Sequence, residues 1–212
     1  MYNESERIRM SSLGGAERAG RSGLPWGGVA SIVGGVLWVS VWLLYLATHG
    51  TGMADQHGRL LGLTHHDFGK FLVPSLLLVT VGLFHLRRQL PEKSGLATRA
   101  GFAVAMIALA VMTVGAAVIY WSVPWGSYNL DFQQPIIVYP SIIIFFFSTP
   151  ILALGLILFA SGLARARTWP SFVTAAVIVG PLTIIPFLHG TLFGGGFGLS
   201  WVIIGYGICR GR

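Results

Sequence analysis

Apolar residues gather into six long stretches, at about 26–47, 68–86, 100–121, 136–163, 169–188 and 191–209, divided by short polar segments. Crossing about 30 Å of hydrocarbon takes about 20 apolar residues at a rise of 1.5 Å each, and the six stretches are of that order. The pattern predicts an all-α fold, a polytopic membrane helical bundle of about six transmembrane helices spanning residues 26–212. Residues 1–25 are polar and basic and are expected to form a disordered cytoplasmic segment; the apolar run behind them is too long for a signal peptide and reads as a retained first span.

The stretches are not equally secure. The fourth is long enough to tilt or bend, and Pro140 and Pro150 supply places to do so. Only His189 and Gly190 divide the fifth from the sixth, which opens on the glycine-rich run 194–198. A tight hairpin at the far face is the expected arrangement, and a re-entrant pair is its alternative. The even-numbered stretches also end alike, in Gly82-Leu83-Phe84-His85-Leu86-Arg87, Gly162-Leu163-Ala164-Arg165 and Gly205-Tyr206-Gly207-Ile208-Cys209-Arg210. Three helical hairpins related by duplication would account for this, as would three helix ends at one membrane interface.

Charge gives the pattern a direction. Twelve of the fourteen basic residues fall before the first stretch, between the second and third, after the fourth and at the chain end; only Arg59 and Lys70 fall on the other side. By the positive-inside rule the rich side, with both termini, is cytoplasmic. The net charge of +7 therefore marks topology and not a nucleic-acid surface, since the arginines sit in short clusters at helix ends. At 54% hydrophobic and 10% charged, the composition leaves too little charge to cover a soluble fold. Arginine outnumbers lysine twelve to two, and Gly and Ala are abundant, a usage that points to a GC-rich bacterial genome; the expected location is therefore a bacterial inner membrane. The single Cys209 rules out an internal disulfide and any CxxC pair.

Small residues at helical spacing, Ala30 with Gly34, Ser31 with Gly35 and Gly194 with Gly198, predict close helix contacts, within the chain or between copies. Trp26 and Trp169 suit the inner interface, and Tyr45, Tyr120, Trp121, Trp125 and Tyr128 the outer one.

Candidate chemistry is sparse. All seven acids fall outside the apolar stretches, and neither HExxH nor GxSxG occurs, so ion-coupled transport and the commonest hydrolytic routes lack their residues. Five of six histidines belong to the far face. His49, His57, His65, His66, Asp67 and His189 form the candidate metal set there, imidazole and carboxylate being ligands for zinc, copper or iron. Against this, Thr64 and Asp67 have the spacing of a capping box at the start of the second stretch, which would occupy Asp67 with helix N–H groups. A haem between His85 and His189 would need two histidines at one depth, and these belong to opposite faces. No cofactor is predicted, a metal ion or haem being the alternative.

The expectation that follows is a multi-pass protein without catalysis of its own, a binding, scaffold or accessory component of a membrane assembly. Its partners are the lipid bilayer and another membrane protein or a second copy, with no nucleic acid. A carrier or channel for a neutral or apolar solute is the second reading, resting on the helix breaks at Pro140, Pro150, Pro181, Pro186 and the glycine run. A metal- or haem-dependent oxidoreductase built on the far-face histidines is the third.

Overall fold

The computed structural model describes residues 26–49, 63–90, 95–122, 138–167, 169–184 and 194–210. Among these the chain is helical: α1 is Trp26–His49, α2 the short His65–Gly69, α3 Leu72–Arg88, α4 Leu96–Trp121, α5 Val138–Ala166, α6 Ser171–Leu182 and α7 Gly195–Arg210. Four segments are long and apolar enough to cross a membrane, Trp26–Ala47, His66–Arg88, Leu96–Trp121 and Pro140–Ala166. That makes this a helical membrane protein. The tail 1–25 lies outside the described residues.

The fifth and sixth stretches give shorter helices than their apolar length predicts. α6 ends at Leu182, where the Thr183 and Ile184 N–H groups turn to the Gly180 and Pro181 carbonyls, three residues back. At twelve residues it is about 18 Å long, against about 30 Å of hydrocarbon. α7 has sixteen. The expected turn at His189-Gly190 lies outside the described residues. Pro150 is carried inside α5 without ending it.

Apart from the short α2, each helix packs on the next along the chain, and α7 returns to pack along α1, so six helices close into a ring. Between membrane helices the hydrophobic effect gives little drive, and close backbone approach takes its place. The α1–α7 seam shows this. Gly28 faces Gly205 and Gly35 faces Gly198, two antiparallel contacts one heptad apart, and a methyl group on any of the four would strike the opposite carbonyl oxygen. α4 and α5 use Gly101 and Gly155 in the same way. Ser75 Oγ adds a hydrogen bond across to the Gly34 carbonyl, 2.8 Å, joining α3 to α1.

These contacts sort the helix ends. The start of α1 meets the ends of α3 and α7, through Gly27 with His85 and Gly28 with Cys209. Arg87 and Arg88 close α3, Arg165 closes α5 and Arg210 closes α7, giving one basic end. The opposite, far end gathers the finish of α1, the α2–α3 corner and the finish of α4, where Trp121 Nε1 donates to the Lys70 carbonyl at 3.2 Å. Between the ends the core is apolar: Leu83, Leu109, Leu156, Phe159, Phe197 and Trp201 are almost wholly buried. No Asp, Glu, Lys or Arg is buried among the described residues.

Candidate functional site at the far mouth

The far end is built from the α2–α3 corner. Thr64 caps α2: its Oγ accepts from the Asp67 N–H at 3.3 Å, while Asp67 Oδ2 accepts from the Thr64 N–H at 3.0 Å and from its hydroxyl at 2.7 Å. The capping box expected from the spacing is therefore formed. The other carboxylate oxygen of Asp67 pairs with Lys70 Nζ at 3.1 Å, so both oxygens are engaged in holding the corner.

His66 faces inward and is only 2% exposed. Its Nε2 lies 3.2 Å from the Ile119 carbonyl oxygen, to which it donates in the Nε2–H tautomer, and its ring centroid is 5.6 Å from that of Tyr120. In that tautomer Nε2 has no lone pair for a metal, and the ring's donor electrons lie on Nδ1. Among the candidate metal residues His66 and Asp67 are adjacent on α2, His66 bonded toward α4 and Asp67 within the corner. His49 ends α1 and His65 begins α2, with side chains outside the described residues, as are His57 and His189 altogether. Among the described residues no group of three or more His, Cys, Asp or Glu is placed to hold a metal ion. His85, at the basic end, lies 2.9 Å by Nε2 from Gln89 Nε2.

What the corner frames is a cavity of about 230 Å³. One wall is a stripe of α1, Trp38, Val41, Trp42 and Tyr45, with Gly69, Leu72 and Tyr120 beside it. Across the ring stand Phe145, Phe146 and Thr149 of α5, and Ile184 and Gly194 complete the lining. Half of these twelve residues are aromatic and none is charged. Deep polar atoms are engaged by the protein itself. Trp38 Nε1 donates to the Gly194 carbonyl at 3.0 Å, and the Thr149 hydroxyl donates to the Phe146 carbonyl at 2.7 Å. One turn toward the basic end lie Leu76, Ala116, Leu152 and Phe197, all fully buried, and the Phe197 ring stands 4.9 Å from that of Trp38. The cavity has a floor.

Sequence reasoning placed Tyr45 and Tyr120 at this end as interfacial anchors but did not bring them together with Trp38, Trp42, Phe145 and Phe146. Helical spacing of 38, 41/42 and 45 on one face of α1 is the one signal that foreshadows the wall. The partner wall on α5 is distant in sequence and unmarked. No family model, curated protein or solved structure matches this chain.

Proposed function

We propose that this is a six-pass protein of a bacterial cell membrane, with both chain ends cytoplasmic, which works by binding and not by catalysis as an accessory or scaffold component of a membrane assembly. The observation that carries this reading is the solid interior: a floor of fully buried side chains with no buried Asp, Glu, Lys or Arg among the described residues. Proton relays and ion-coupled carriers need intramembrane charge, and a through-channel needs a wet or openable path. Antiparallel seams between α1 and α3, α1 and α7, α4 and α5, and α6 and α7 support an up-down order through all six helices. The arginines at one end support a cytoplasmic assignment for that end.

Two measurements test this. In a Cys209→Ala background, Lys93→Cys and Asp131→Cys report sidedness with a membrane-impermeant maleimide. Labelling of Asp131→Cys in intact cells, with Lys93→Cys reacting only after permeabilisation, is expected; the reverse pattern removes the topology. Purification in mild detergent is expected to carry a second membrane protein with the chain, and recovery as a lone monomer from native membranes would count against the accessory role. The far-mouth cavity favours a second reading, a carrier for an uncharged apolar solute, which would require the Leu76–Phe197 floor to open. Accumulation of such a solute in proteoliposomes would decide for it.

A further inference from the structure

We infer that the far-mouth cavity is a binding site for an uncharged, planar ring molecule of one or two fused rings. The inference deepens the reading of the bundle as a binding protein and rests on it.

Charge is decided by the lining. A charged group entering the cavity would lose its water with no countercharge in the wall, which is costly. Hydrogen-bonding capacity is low at depth as well, because Trp38 Nε1 and the Thr149 hydroxyl already have protein partners. The deep part therefore favours an apolar body. Any polar edge of the ligand would sit toward the tyrosines.

Size and shape decide between a ring and a lipid chain. An apolar cavity of about 150 Å³ is known to accept benzene. At about 230 Å³ this one has room for a second fused ring. Its α1 wall runs from Trp38 to Tyr45, roughly 10 Å along the helix, shorter than the roughly 15 Å that an acyl chain spans in one leaflet. Flat aromatic walls on α1 and α5 offer offset or edge-on ring contacts, which a flexible chain does not exploit. Aromatic boxes also attract quaternary ammonium ions. Here no carboxylate lines the box, and Lys70 follows the lining residue Gly69, so a cation has less to gain.

The full chain in phosphatidylcholine nanodiscs is titrated with 1-bromonaphthalene, whose heavy atom quenches tryptophan only on contact. Saturable quenching that naphthalene displaces is expected. Val41→Phe, which fills the cavity, should raise the half-saturation concentration about tenfold or more, and Val36→Phe, the same change on the lipid-facing side of α1, should leave it unaltered. Should Val41→Phe fail to fold, Trp42→Phe serves instead: the saturable component should shrink, whereas Trp26→Phe at the basic end should keep it. Quenching that rises linearly and equally in every variant means partition into the bilayer and overturns the site. Saturable quenching by bromo-acyl phosphatidylcholine, or displacement by benzyltrimethylammonium at lower concentration than by naphthalene, overturns the ligand class. Saturable binding by a chain that carries no partner protein would sink the accessory role and leave the site standing. A partner that copurifies with a chain showing no saturable binding would do the opposite.

Discussion

The basic end of the bundle and its far mouth are made from the same helices, yet the axis is filled at one and open at the other. Toward the basic end glycines bring backbones together, Gly28 on Gly205 and Gly101 on Gly155, and the remaining space is filled by Leu83, Phe159 and Trp201. At the mouth, Trp38, Trp42, Tyr120 and Phe145 hold the walls apart around empty volume. Bulk is not what separates the regions, since both are rich in aromatic rings. Small residues stand against large ones in both, Gly69 against Tyr120 and Gly194 and Gly195 against Trp42 at the mouth. The difference is what lies on the axis: toward the basic end fully buried side chains fill it, whereas at the mouth the aromatic residues of α1 and α5 border a cavity and a vestibule remains.

That contrast can be broken most severely at a seam. Gly35→Val would push a side chain into the Gly198 carbonyl and the α7 backbone, neither of which can move cheaply. Overpacking of this kind is expected to cost about 3 kcal/mol or more. Denaturation by SDS in mixed micelles would report it, and a variant as stable as the parent would show that α1 and α7 do not meet as described. Next in size is Trp201→Ala, which empties the most voluminous of the fully buried side chains. A loss of about 3 kcal/mol is expected, the lower end of the range for Trp→Ala, because lipid and not water is the reference environment. The same truncation at Trp42, which borders space that is already empty, should cost clearly less; equal losses would erase the distinction between core and mouth.

Smaller effects sharpen the edges of the comparison. Thr64→Ala removes both side-chain bonds of the cap and should destabilise the α2–α3 corner by about 1 kcal/mol. Hydrogen exchange at the start of α3 would rise while α4 stays protected, and unchanged exchange there would remove the corner's role. Smallest is Phe147→Ala, on the lipid-facing side of α5 beside the cavity residue Phe146. It should change stability by less than about 0.5 kcal/mol, as surface substitutions do. A larger loss would mean that Phe147 is covered by a partner in the membrane.

Much of the architecture was readable from the chain alone, for a local reason. Helix length and apolarity belong to contiguous residues, so the four long helices and the arginines at their ends are written in continuous text. The Thr64–Asp67 cap is three residues wide and equally plain. What could not be read is whatever several helices make together. Trp42 on α1 and Phe146 on α5 each look like an ordinary membrane aromatic, and only the ring closure puts a cavity between them. Gly28 and Gly205 carry no mark of each other, and Gly205 could be taken merely for a loosened helix end. α6 fell short of its apolar run because hydropathy counts residues and not hydrogen bonds, which tighten to three-residue turns after Leu182.

The pairing of α1 with α7 also bears on how the protein is made. Of the described helices α1 leaves the ribosome first and α7 last, so the seam that closes the ring joins the two that are furthest apart in time. Until then, the Gly28–Gly35 face of α1 has only lipid against it, or whatever other helix passes. Contacts of such long sequence separation form slowly and leave intermediates open to mispairing. A linker joining the end of α7 to the start of α1, with new termini cut elsewhere, would turn this last contact into a neighbouring one. The ring geometry predicts that such a permuted chain keeps its fold and gains a shorter assembly path.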